Sequence, residues 1–98
     1  MVKITLQKRP CLQLTATGHA GAAPHGEDLV CAAVSTLFCT LAAQLELAKC
    51  SSTARLEPGY ADVRAARSRT ALAAFSFAET GLQMLAGQYP QYVCIQVR

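Results

Sequence analysis

The residues in this chain best placed to do chemistry together are His19 and Cys31, in the stretch Gly18–Ser35, GHAGAAPHGEDLVCAAVS. A cysteine is a useful nucleophile only as the thiolate, and a helix N-terminus and a nearby imidazole both favour that form. The local pattern puts His19 at the end of a strand and Cys31 just inside a helix, joined by a loop rich in glycine and alanine. Asp28 is suited to cap that helix, which would put Cys31 within the first turn, where the helix dipole lowers a thiol pKa. The carboxylates of Glu27 and Asp28 act the other way if they face the thiol, and the imidazolium of His19 is then the larger stabilising influence. The net direction is open at this level. Ser35, one turn after Cys31, could hydrogen-bond beside it. By residue type and position alone, the commoner roles are a small hydrophobe in an apolar helix for Cys31 and a turn histidine bonded to backbone for His19. His25 completes a His-x5-His-x5-Cys spacing, but this matches no zinc motif and no fourth protein ligand is evident. No metal or cofactor is therefore expected, and His25 is read as a loop residue close to substrate.

The elements that must hold these groups follow from hydrophobic period. Val2, Ile4 and Leu6 alternate with polar residues, as do Leu12, Leu14 and Ala16, which predicts a hairpin across Lys8-Arg9-Pro10. Ala20–Gly26 lacks apolar bulk and reads as a loop beside His19. A helix is predicted from about Asp28 to Lys49, with Val30, Val34, Leu37, Leu41, Leu45 and Ala48 as its core face and Leu29, Phe38 and Leu47 widening it. So broad an apolar surface favours cover on a second side, as at a dimer interface, and a central position in a monomer would explain it equally well. Pro58-Gly59 suits the centre of a type II turn within a second hairpin. Leu72, Phe75, Leu82, Leu85 and Tyr89 follow helical spacing, with Gly81 weakening the middle and Pro90 ending the pattern, and Val93, Ile95 and Val97 alternate as a last strand. The expected fold is α+β and two-layered, with two helices packed on a mostly antiparallel sheet in the order β-β-α-β-β-α-β.

A chain of 98 residues, 52% hydrophobic and 15% charged, suits one packed domain with a single core. The charge-free run Leu29–Gln44 is shorter than the roughly 18 to 20 residues that span a bilayer, so it reads as a buried helix and no membrane is expected as a partner. The N-terminus alternates apolar and polar residues without a signal-peptide core, which points to the cytoplasm. Five cysteines without a CxxC pair suit reduced thiols, most of them as small core residues. Arg55, Arg64, Arg67 and Arg69 cluster in sequence, but the net charge of +3 and the lack of a basic stripe interleaved with aromatics argue against direct nucleic-acid binding.

The Gly18–Ser35 window resembles the ribosomal-processing cysteine protease (Prp) family, whose members carry a GHA motif, a loop, and an HGxDxVCAAVS helix start. The resemblance implies that the whole chain, 1–98, is one cysteine protease domain. It implies His19 as general base and then acid, Cys31 as the residue that forms the acyl-enzyme, and Asp28 and Ser35 as supporting residues. Gly18, Ala20, Gly21, His25 and Gly26 would form the substrate loop. Similar proteins are homodimers that remove a short N-terminal extension from a large-subunit ribosomal protein, cutting after an aromatic residue in a hydrophobic motif. Two departures stand out: Pro24 replaces a residue that tends to be charged, and the segment 51–68 is short. The alternative from another class is a non-catalytic ribosome-associated or protein-interaction module. A thiol sensor is a third reading, which the lack of a nearby resolving cysteine disfavours.

Overall fold

The computed structural model describes residues 1–18 and 29–98 in full and residues 25–28 as helix backbone. Its elements are β1 (Val2–Gln7), β2 (Leu12–Thr17), α1 (His25–Leu47), β3 (Ser52–Glu57), β4 (Tyr60–Ala65), α2 (Arg69–Gln88) and β5 (Val93–Val97). This is the order expected from the sequence. The strands form one five-stranded sheet in the order β3-β4-β2-β1-β5, antiparallel throughout except where β5 lies parallel to β1.

The period of two decides which face of this sheet is covered. Val2, Ile4, Leu6, Leu12, Leu14, Ala16, Val63, Ala65 and Val93 are buried beneath the helices. The intervening Lys3, Thr5, Gln7, Gln13, Thr15, Asp62 and Arg64 stand on the open face, and none of them is fully buried. Helix α1 contacts β3 and β4, whereas α2 contacts β2 and β5, so each helix roofs one half of the sheet. Burying these strand residues and the facing helix residues contributes roughly 1.5–3 kcal/mol for each large side chain, which is the main force holding the layers together.

The helix faces differ in detail from the expected ones. In α1 the buried stripe is Val30, Val34, Phe38, Leu41 and Leu45, with Leu37 only half-buried and Leu29, Leu47 and Ala48 exposed. Phe38 is one of the two phenylalanines in the core rather than a flank of it. In α2 the stripe is Ala71, Phe75, Ala78 and Leu82, while Leu72 and Tyr89 are exposed. Ala78 lies beside Leu37 and Leu41 of α1. A Cβ on Gly81 would come within 2.9 Å of a Leu37 methyl group, so glycine here serves helix–helix approach rather than merely weakening the helix.

The termini of the helices are defined by local chemistry. Ser68 caps α2, its Oγ accepting from the Ala71 N–H at 3.1 Å. The expected extension of α1 to Lys49 is corrected: the helix stops at Leu47 and closes with a Schellman turn. There the Cys50 N–H donates to the Leu45 carbonyl (2.9 Å) and the Lys49 N–H to the Glu46 carbonyl (3.0 Å). Lys49 holds φ 57, the position glycine usually takes.

By length and composition the stretch Leu29–Leu47, of mean hydropathy 1.6, could cross a membrane, because its apolar character continues past Gln44. In the fold its core stripe packs on the sheet, yet only 28% of the stretch is buried in the protomer. The expectation that most cysteines are core residues is also corrected. None of the five is fully buried: Cys11, Cys31 and Cys50 are half-buried, Cys39 and Cys94 are exposed, and all are free thiols.

Candidate active site

Cys31 sits on α1 beside the core, half-buried and packed against it. Its neighbours at helical spacing, Ser35 and Cys39, line the same cavity, which has a volume of about 330 Å³. The deep apolar wall of this cavity is Val2, Ala16, Val34 and Phe38, and its opposite wall is the hairpin segment Leu56–Ala61. A thiol thus opens onto an apolar recess large enough for a bulky side chain, with the Ser35 hydroxyl one turn away.

Gly18 forms part of the rim and is fixed from three directions. Its φ is 107, a region L side chains rarely adopt. Its N–H donates to the Gly59 carbonyl at 3.1 Å. A Cβ at this position would collide with the Met1 carbonyl oxygen. The chain can therefore leave β2 towards residue 19 at this angle only with glycine in place. The opposing Pro58-Gly59 turn is also set locally: Gly59 has φ 76, as position i+2 of a type II turn demands.

Of the residues expected at the site, Cys31, Ser35 and Gly18 are brought together around one cavity. His19, Ala20 and Gly21 lie outside the described residues, as do the side chains of His25 and Asp28 and the surroundings of Gly26. The expected capping role of Asp28 is corrected by the helix boundary. Because α1 opens at His25, Asp28 is already helical and Cys31 falls in the second turn. The influence of the helix dipole fades beyond the first turn, and the amides left unpaired at the helix start precede Cys31. Among the described residues, no group of His, Cys, Asp and Glu stands close enough to hold a metal ion.

Sequence reasoning missed Cys39, Phe38 and the Leu56–Ala61 wall. The first two were accessible from helical periodicity, since both lie within eight residues of Cys31 on the same side of α1. The hairpin wall was not, because nothing local says which end of β3–β4 approaches α1. The arginine cluster is largely accounted for by local pairing. Arg55 Nε meets Glu57 Oε2 at 3.0 Å while its guanidinium lies 5.5 Å from the Tyr60 ring centre. Arg64 pairs with Asp62, whose other oxygen accepts from Gln13, and Arg67 donates to the Lys8 carbonyl.

A comparison with protein families matches residues 1–94 to the model of the cysteine protease Prp. The chain belongs to the Prp cysteine protease family. Membership makes it a thiol-dependent peptide hydrolase, in keeping with the cysteine at the apolar cavity. No curated protein matches the chain. Among solved structures it is similar to SMU.848 from Streptococcus mutans, with TM-score 0.81, 28% identity, and coverage of 99% of this chain and 93% of that one. It also shares its fold with the essential ribosomal processing protease Prp from S. aureus in complex with a covalently linked product peptide. There the TM-score is 0.85 at 16% identity, with both chains covered completely. The same S. aureus protease with a substrate peptide gives TM-score 0.82, again at 16% identity and full coverage.

Proposed function

We propose that this protease removes a short N-terminal extension from a large-subunit ribosomal protein, cutting after an aromatic residue in a hydrophobic motif. The observation that carries this reading is the placement of Cys31 on the wall of an apolar cavity formed by Val34, Phe38 and Leu56. An aromatic side chain seated there would bring its own carbonyl carbon towards the thiol. His19 accepts the thiol proton, and the sulfur attacks that carbonyl to give a tetrahedral intermediate. The intermediate collapses as His19 returns the proton to the departing amine, leaving a thioester on Cys31. Water, deprotonated by His19, then releases the carboxylate product and restores the thiol. Ser35 stands beside Cys31 as a hydrogen-bonding neighbour, and Asp28 orients His19. The S. aureus protease of the same fold, crystallised with substrate and product peptides, supports a peptide as the partner.

The reading includes a homodimer in the cytoplasm. Support for the dimer comes from the outer faces of α1 and α2. Leu37, Thr40, Leu41, Gln44, Ala74, Phe77 and Ala78 line an apolar groove, with Phe77 75% exposed, and α1 bears no charge between Leu29 and Leu45. Such an uncharged face is better suited to a second copy than to water.

The function is tested by incubating the protein, beside its Cys31→Ala variant, with peptides matching the extended N-terminus of the host's ribosomal protein, followed by mass spectrometry. Cleavage at a single bond by the unmodified protein alone is the expected result. Intact peptide with both folded proteins would favour a non-catalytic interaction module.

A further inference from the structure

Strand β3 ends the sheet, and all six of its residues are exposed. Among the described residues, no strand pairs with its far edge. The two-residue Pro58-Gly59 loop makes Glu57 and Tyr60 the closing pair of the hairpin, in register with Arg55↔Asp62 and Thr53↔Arg64. In an antiparallel pair hydrogen-bonded and non-hydrogen-bonded positions alternate, so the backbone groups of Ser52, Ala54 and Leu56 are the ones turned outward. These three also carry the side chains that face the helix layer, through their pairing with Ala65, Val63 and Ala61. Leu56 is 43% exposed there and lines the cavity that holds Cys31. The other sheet edge, β5, contributes no residue to that cavity, which reaches the sheet no further than its neighbour β1 at Val2.

We infer that the substrate peptide binds as a sixth strand on the free edge of β3, its backbone paired with Ser52, Ala54 and Leu56, and that this pairing carries the scissile bond to Cys31. The inference rests on the protease reading above and adds to it the element that holds the peptide. Main-chain pairing of this kind supplies affinity with little demand on sequence, while alternate side chains of the peptide meet pockets on one face. Here the alternate side chains on the helix side pass over Leu56 into the recess formed by Phe38 and Val34. Arg55 and Glu57, paired to each other on the opposite face, place charge on the edge strand, which discourages open-ended association between copies while leaving the backbone groups accessible.

The test measures binding of a short, fluorescently labelled apolar peptide with one central aromatic residue to the Cys31→Ala protein. Each peptide amide is N-methylated in turn. Strand pairing predicts losses of at least about fivefold at every second amide and little change at those between, the loss of one hydrogen bond being worth about 1 kcal/mol before steric exclusion is added. Ala54→Pro removes one outward N–H without touching the β3–β4 ladder, so the protein should keep its circular dichroism spectrum and melting temperature while affinity falls about fivefold. Uniform tolerance of N-methylation, or unchanged affinity in a folded Ala54→Pro protein, would overturn the inference. Cleavage of the unmodified peptide by the intact protein reports separately on the protease reading. Alternation without cleavage upholds strand pairing and removes that reading, and cleavage without alternation does the reverse.

Discussion

Replacing Gly18 by alanine should damage both the fold and the site, although it adds only one methyl group. The residue holds φ 107, and forcing a side chain into such a region costs about 1–3 kcal/mol. The added Cβ also meets the Met1 carbonyl oxygen, which is backbone and cannot rotate away. Relief requires the end of β2 to move from the start of β1, and that movement strains or breaks the Gly18 N–H to Gly59 carbonyl bond, worth about 1 kcal/mol. The combined loss is about 2–4 kcal/mol. For a domain of this size each kcal/mol lowers the melting temperature by about 4–8 °C, so a fall of at least about 8 °C is expected. Urea unfolding monitored by circular dichroism gives the free energy, and peptide turnover at a temperature where the variant is folded shows whether activity survives the change. Gly87→Ala is the control, since a Cβ there meets nothing within 4 Å and alanine should stabilise α2 by about 0.5–1 kcal/mol. If Gly18→Ala unfolds with a loss below about 1 kcal/mol and turns over normally, the argument from backbone geometry is wrong.

Lys49→Gly should stabilise the protein by about 1 kcal/mol, because Lys49 occupies the left-handed position of the Schellman turn at φ 57; chemical denaturation of both proteins checks this. Phe38→Ala should cost about 3–5 kcal/mol, since Phe38 is 1% exposed at the centre of the core, and it should enlarge the cavity beside Cys31; calorimetry gives the first and selectivity among peptides of different aromatic size the second. Ser68→Ala should cost about 1 kcal/mol by removing the cap on α2, without altering peptide turnover. Phe77→Glu, which places a charge on the apolar groove between α1 and α2, should leave the melting temperature nearly unchanged while converting the proposed dimer to monomer in sedimentation velocity; an unaltered sedimentation coefficient would argue against that interface.

The sequence by itself determined the order of the seven elements, because strands and amphipathic helices advertise themselves through periods of two and 3.6 residues. Turn residues such as Pro58-Gly59 mark the breaks between them. It also singled out Cys31 and Ser35 on one side of α1, since helical spacing alone aligns them, and the Gly18–Ser35 motif pointed to the family. Local patterns were less able to fix helix ends. The first turn of α1 at His25–Asp28 has no apolar period, and Asp28 looks like a cap although it lies within the helix. Weighting by hydrophobicity also favoured Leu29, Leu47 and Leu72 over the buried Ala71 and Ala78, whereas the close approach of α2 to Leu37 of α1 favours small residues such as Ala78 and Gly81 there. Only the tertiary structure decided what faces Cys31. Sheet order β3-β4-β2-β1-β5 brings Val2, Ala16 and Leu56 around one thiol and leaves β3 at the free edge beside it. That arrangement follows from burying one face of a sheet whose neighbours are distant in sequence, and no local run of residues records it.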